Sequence, residues 1–349
     1  MLSKRKFKVL FSSNKNPNFE TFTDYIEKAL NEVGCETLFF ENRHFLLPGR
    51  IRDKVRLLNN GDLYILNRRL LNKAIEFKPL LFLEDGGWNI LPATLKAMNK
   101  VGIVTALWTN DPPRFQDRHL NSLKKNASYY DHVFVTGSEG VDFFKNTVNC
   151  LHLLPFACDP DYHKPMKITN SVKDRYSYDV CFVGSGWEEL YPYRIKLLEG
   201  LTDFKLGVWG PGWETLSSMS PLKKFINGAH LKTAEWVKLF STSKIVFHSH
   251  FQDPLNLMLN YQVNPRVFEA LACGSFLLVD DQKDISCFFK NGEHLVIYKD
   301  MNDLRARVAY YLNNDDERKR IADCGRKEVL KKHTYKHRVK DIINTVTKG

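Results

Sequence analysis

No apolar run in this chain approaches the roughly 18 residues that a membrane-spanning helix requires. The basic opening has only Val9-Leu-Phe11 as its apolar part before Ser-Ser-Asn, too short for a signal-peptide core, and it reads as the first strand of a soluble protein. The seven cysteines contain no CxxC and no close pair, which argues against a zinc site or a disulfide framework. Cys181 and Cys273 lie inside apolar runs, so the set reads as small buried hydrophobes in a reducing, cytoplasmic compartment. No repeat with a period of roughly 20–50 residues and no low-complexity tract is visible.

What is present is ordinary for a globular chain, with 43% hydrophobic and 26% charged residues, and 349 residues suggest about two domains. The net charge of +11 is uneven. Residues 1–8 carry four Lys/Arg and no acid, and residues 324–349 carry eight against Glu328 and Asp341. Such ends suit either a solvated basic helix, the preferred reading, or an anionic partner such as membrane headgroups or nucleic acid.

The first half alternates apolar strands with helical periodicity, the pattern of an open α/β sheet. Strands are expected at 8–11, 37–40, 62–66, 79–83, 102–108, 132–136 and 151–155. Ligands of such sheets sit beyond the carboxyl ends of the strands. The acids on that rim are Glu84, Asp85, Asp111 and Glu139. Asp111, between a buried strand and two prolines, is stiffly placed and is the first choice for a catalytic base; Asp85 is a weaker one. The competing reading of Asp111 is a turn-forming Asp before Pro. Residues 157–177 read as an irregular linker in which Asp159-Pro-Asp161 forms a turn.

The second half repeats the architecture. Strand 178–183 runs into Gly184-Ser-Gly-Trp187, strand 204–209 into Gly210-Pro-Gly-Trp213, and strand 244–250 ends in His-Ser-His. Glycines between strand and helix let backbone amides approach a phosphate. Then Asn264 caps a short helix opened by Pro265, and Gly274 ends it before a buried strand. Arg266 and Glu269 project from one side of its first turn. A cation, a carboxylate and free amides suit a phosphate and a pair of sugar hydroxyls; a surface ion pair fits the same spacing.

The order of these motifs, with Tyr310-Tyr-Leu312, Arg320-Ile-Ala322, Gly325 and His333-Thr-Tyr-Lys-His-Arg-Val339 behind them, resembles the group 1 glycosyltransferases in their CgeB-like, spore-maturation form, over residues 178–345. The resemblance implies a GT-B fold, two Rossmann-like domains facing a cleft: residues 1–165 for the acceptor, 166–330 for the donor, and a basic helix at 331–349 returning to the first. It implies a hexosyltransferase that takes a nucleotide-diphosphate sugar, UDP before GDP or dTDP, with no metal and no further cofactor, toward an acceptor it does not identify. Carried over, Glu269 takes the ribose hydroxyls, while Arg266, Gly184 and Ser185 lie on the diphosphate side. Gly210 to Trp213 lie where the base docks. Arg194 adds positive charge, Asn264 precedes the motif, and His250, with His248, borders the pocket. Gln262 stands where many group 1 enzymes carry a second glutamate, which suits the CgeB-like form. A sugar-nucleotide epimerase of the same fold, a nucleic-acid-binding protein and a DNA-glycosylating enzyme are the alternative readings.

Overall fold

The computed structural model describes residues 6–110, 118–167, 169–256 and 259–348, the side chains of 118–122 excepted. The chain divides into two units, residues 1–155 with 335–349, and residues 156–334. The N-terminal unit is built on β1 (Lys8–Ser13), β2 (Glu36–Glu41), β3 (Leu81–Asp85), β4 (Val104–Thr109), β5 (His132–Val135) and β6 (Leu151–Leu153). These lie in the order β2-β1-β3-β4-β5-β6, and every pairing is parallel. Its helices are α1 (Phe22–Glu32), α2 (Gly49–Arg52), α3 (Arg56–Phe77), α4 (Pro92–Lys100), α5 (Arg118–Ala127) and α6 (Ser138–Phe144).

The C-terminal unit carries β7 (Val180–Val183), β8 (Leu206–Trp209), β9 (Ile226–Gly228), β10 (Ile245–His248), β11 (Leu277–Asp280) and β12 (Val296–Tyr298). Their order is β12-β11-β10-β7-β8-β9, again all parallel. Numbered within the unit this is 3-2-1-4-5-6, the doubly wound dinucleotide-binding order. The helices are α7 (Asn170–Tyr176), α8 (Pro192–Glu199), α9 (Thr233–Thr242), α10 (Pro265–Ala272), α11 (Ile285–Phe288), α12 (Met301–Leu312) and α13 (Asp315–Lys332). Both faces of a parallel sheet need cover, so its strands are apolar throughout. Phe182, Val208, Phe247, Leu278 and Tyr298 accordingly fill one core with Ile321 of α13.

The last helix, α14 (Tyr335–Lys348), packs against α1 in the N-terminal unit. Tyr335, Arg338, Val339, Ile342 and Val346 are buried, while Lys336, Lys340 and Lys348 are exposed. Tyr335 is the anchor, its ring 5.6 Å from Tyr25, 6.1 Å from Phe22 and 6.5 Å from Trp108. Arg338 Nε donates to the Pro155 carbonyl at 2.8 Å.

Two sequence expectations are corrected. Residues 62–66 are not a strand but part of the 22-residue helix α3. The buried positions Asp62, Leu66, Leu70 and Ala74 recur every four residues, one stripe of a helix. Exposed Leu57, Tyr64 and Ile75 blurred that stripe, and Asn59-Asn-Gly61 mimicked a turn. The stretch 157–177 is not wholly irregular, since α7 lies in it. Within it Asp159 Oδ1 accepts from the Asp161 amide at 2.8 Å, an Asx turn.

Asp62 is 3% exposed, and its two oxygens accept the Leu46 and Leu47 amides at 2.9 Å each. Asp62→Ala leaves those amides without their acceptor and is expected to lower stability by about 1–3 kcal/mol in urea unfolding, with the slope m unchanged.

Candidate functional site

In the C-terminal unit the strand order reverses between β7 and β10, and a crevice opens beyond their carboxyl ends at such a point. Arg194, from the first turn of α8, ties its two sides together. Nη1 donates to the Ser185 carbonyl beyond β7, and Nη2 to the Ser249 carbonyl beyond β10, both at 2.8 Å. The guanidinium stacks over Tyr191 at 4.0 Å and is 8% exposed. Burial lowers its pKa, and the neighbouring Tyr191 and Asp280 oppose that shift. Its Nε, fully buried, has no hydrogen-bond partner among the described residues. Arg194 therefore uses one donor on each side to shape the crevice.

The glycines here serve close backbone approach, and the amides of Gly184, Gly186 and Gly210 are bonded to the carbonyls of Trp209, Pro211 and Gly228. Gly184 donates to the Trp209 carbonyl at 2.9 Å. Gly210, at φ +139°, lies so close that a Cβ would stand 2.0 Å from the Gly184 oxygen. Trp213 is 4% exposed, donates Nε1–H to the Gly184 carbonyl at 3.0 Å, and packs where a Cβ on Gly186 would clash at 2.2 Å. It is a pillar under the glycine loop, with its ring in the core. The exposed aromatic of this region is Trp187.

A relay of hydrogen bonds fixes the opening of α10. Asp280, at the end of β11, accepts the His250 amide at 3.0 Å and faces His250 Nδ1 at 2.7 Å. The Asn264 amide donates to His250 Nε2 at 3.2 Å. These partners place the His250 proton on Nδ1 and make the ring a spacer between β11 and the helix cap. Asn264 Oδ1 then accepts the Arg266 amide at 2.9 Å, the N-cap expected of it.

Arg266 and Glu269 meet as an ion pair, Nη1 to Oε2 2.9 Å, without hydrogen-bond alignment. Arg266 lies over the Trp236 ring at 4.4 Å. Glu269 is 9% exposed, on the buried side of α10, so the surface ion-pair reading does not describe it. Its Oε1 stands 3.9 Å from Nε2 of fully buried His163. His163 Nδ1 accepts the Asp159 amide at 3.1 Å, so Nε2 carries the proton toward Glu269. Nothing in the sequence pointed to His163; it hid in the stretch read as a linker. The Gln262 carbonyl is held by Gln282 Nε2 at 3.2 Å.

His248 is the least satisfied group of the crevice. It is 4% exposed, stands edge-on to His250 at 4.8 Å between ring centroids, and among the described residues neither ring nitrogen has a hydrogen-bond partner. Burial first, then His250, Arg194 and Arg266, push its pKa well below the usual range, so the ring is neutral.

The N-terminal unit has its own switch point, between β1 and β3. Asp85 sits there at the end of β3. Ser13, at the end of β1, donates to its Oδ2 at 2.7 Å, and Asn110, beyond β4, to its Oδ1 at 2.9 Å. Glu84 points to the other face and is fully buried against the Tyr130 hydroxyl, which donates to its Oε2. Burial lifts its pKa to about 8, the Tyr130 bond opposes that, and Asp85 adds to it. Glu139 is buried in the first turn of α6. Asp111 lies outside the described residues. Among the described residues no cluster of three or more His, Cys, Asp or Glu is placed to hold a metal ion.

A family profile described as "Glycosyl transferase-like" matches residues 193–344. Over its whole length the chain resembles the solved sucrose-phosphate synthase of Thermosynechococcus elongatus, with TM-score 0.69, 10% identity, and 98% of this chain and 99% of that one covered. It likewise resembles a trehalose-6-phosphate structure from E. coli bound with UDP-2-fluoro glucose, with TM-score 0.68, 12% identity and 97% and 98% covered. The fold is GT-B, α/β with two parallel six-stranded sheets. Among curated proteins, the spore protein CgeB of Bacillus subtilis (strain 168) is 24% identical over 156 residues, 42% of this chain. The match spans about half of that relative, 48% of its length. The structural likeness shows the fold, and the profile match lies at residues 193–344, from α8 onward.

Glu84 yields a stability prediction. Its folded pKa is about 8 against an ordinary 4.5, so between those values the folded state holds the extra proton. Its contribution to stability is intact below pH about 4.5 and is lost as pH rises to about 8. Glu84→Gln, with the same shape and no charge, is expected to abolish that slope and to gain on the order of a few kcal/mol over the parent at pH 8. Thermal unfolding across this range checks it; parallel curves for the two proteins contradict it.

Proposed function

We propose that the protein transfers a sugar from a nucleoside-diphosphate sugar to an acceptor hydroxyl, and that the β7/β10 switch point receives the diphosphate. The observation that carries this is the convergence on one crevice of the α10 opening, Arg266, neutral His248 and the glycine loop at Gly184-Ser185. His248 and the Arg194 Nε are buried donors that find no hydrogen-bond partner among the described residues. A buried polar group without a partner costs about 1–3 kcal/mol, which an incoming phosphate oxygen offsets. The leaving diphosphate gathers negative charge as the glycosidic bond breaks. Fixed donors and a guanidinium aimed at it lower the barrier without reorganising. Glu269, held by Arg266 and facing His163, accepts the ribose hydroxyls. The likeness to a structure bound with UDP-2-fluoro glucose supports UDP as the nucleotide.

The acceptor is assigned to the N-terminal unit, with Asp85 receiving its hydroxyl. The Asp85 carboxylate is oriented by hydrogen bonds from two strand ends, as a group that must meet a hydroxyl in fixed geometry requires. No observation favours the epimerase or nucleic-acid readings.

Calorimetry with UDP tests the donor assignment. Glu269→Ala is expected to weaken UDP binding by about 100-fold or more, since it removes the ribose acceptor and leaves Arg266 unpaired. Unchanged affinity in a folded variant refutes the assignment. For Asp85→Asn, turnover with a UDP-sugar is expected to fall by about 10²-fold while UDP affinity is kept. Parental turnover removes Asp85 from the mechanism.

A further inference from the structure

A cavity of about 660 Å³ opens beside the loop that follows β7, lined by Trp187, Glu188, Glu189, Leu190 and Thr215. It is within the size range of ligand pockets, and none of its lining residues belongs to the donor machinery described above. We propose that it is a saccharide-binding subsite of the C-terminal unit. The inference rests on the transfer reaction proposed above for the choice of ligand class, but the pocket's chemistry is read independently of it.

Three observations point to a sugar. First, Trp187 is 37% exposed and rigidly seated, because Gly212, at φ +88°, lies against the inner face of the indole, where a Cβ would stand 2.6 Å from it. One face is packed on backbone and the other is open, a platform for the apolar C–H face of a pyranose. Second, the platform is tied down. The Glu188 amide donates to Thr215 Oγ1 at 3.0 Å, Thr215 Oγ1 donates to the Gly212 carbonyl at 2.7 Å, and the Leu190 and Tyr191 amides return to the Trp187 carbonyl at 3.0 and 2.9 Å. A pocket ordered before binding loses little entropy on filling. Third, the two charged groups in the lining are carboxylates. They accept hydrogen bonds from sugar hydroxyls and repel the phosphates of the donor, so the pocket discriminates against the nucleotide. A ring face on an aromatic with hydroxyl donors turned to carboxylates suits a saccharide better than an apolar or anionic ligand.

The test uses maltotriose and chitotriose as probes, with methyl glucoside and methyl N-acetylglucosaminide as their one-sugar counterparts, read by tryptophan fluorescence and by calorimetry. One trisaccharide is expected to bind the parent, Trp187→Ala to weaken it by about tenfold, and Glu189→Gln to weaken it by a smaller factor. Trp187→Ala keeps UDP affinity at the parental value. Two results overturn the proposal: no trisaccharide binds a parent that binds UDP, or Trp187→Ala binds the trisaccharide as the parent does. Trisaccharide binding by a parent that fails to bind UDP upholds the pocket and refutes the donor assignment, so the two claims fail separately. Glu189→Gln, an exposed and isosteric change, keeps the test decisive if the alanine variant misfolds.

Discussion

One buried guanidinium sets the geometry of the C-terminal unit. Arg194 binds the carbonyls of Ser185 and Ser249, the residues at which the chain leaves β7 and β10 in opposite directions. The strand order of a doubly wound sheet necessarily leaves a gap at that point. What fills it decides whether the gap is a loose seam or a shaped site. A cation with a planar fork of donors spans two carbonyls at fixed distance, which a lysine point charge does not. What is proposed for the donor is built around this clamp: His248 at the end of β10, His250 just beyond it, the glycine loop after β7, and α10 through the Asp280–His250–Asn264 relay.

The relay and the clamp divide the polar groups by role. His250 is satisfied on both nitrogens and holds the helix cap; His248, two residues earlier, is satisfied on neither. A structure that saturates one histidine and leaves its neighbour buried and bare keeps the second for something other than folding. The N-terminal unit shows a related division at the end of β3. Glu84 is buried, proton-holding and paired with Tyr130, whereas Asp85 is turned to the strand ends with its charge oriented by Ser13 and Asn110.

Much of this was legible in the sequence. Uninterrupted apolar strands followed by glycine loops announced parallel sheets, and Asn264-Pro265 with Gly274 bounded α10 to the residue. The strand expected at 62–66 failed because a helix whose outer face also carries leucine, tyrosine and isoleucine has no clean period, and local turn residues then suggest a break. The site was legible in its residues but not in their duties. Trp213 has the right chemistry for a ligand, yet its ring packs in the core and its Nε1–H is given to the Gly184 carbonyl, while Arg194 gives one donor to each side of the crevice. Conversely, His163 and Asp280 lie 106 and 11 residues from Glu269 in sequence, and no spacing rule links them to it.

The central claim is that the β7/β10 crevice takes a diphosphate onto His248 while His250 stays structural. Imidazole ¹⁵N spectra recorded with and without UDP test it most directly. The account predicts that the His248 nitrogens shift and its pKa rises when the anion arrives beside it, with the His250 pattern, Nδ1 protonated and Nε2 accepting, left in place. UDP binding that moves neither His248 nitrogen, or that moves His250 instead, contradicts it.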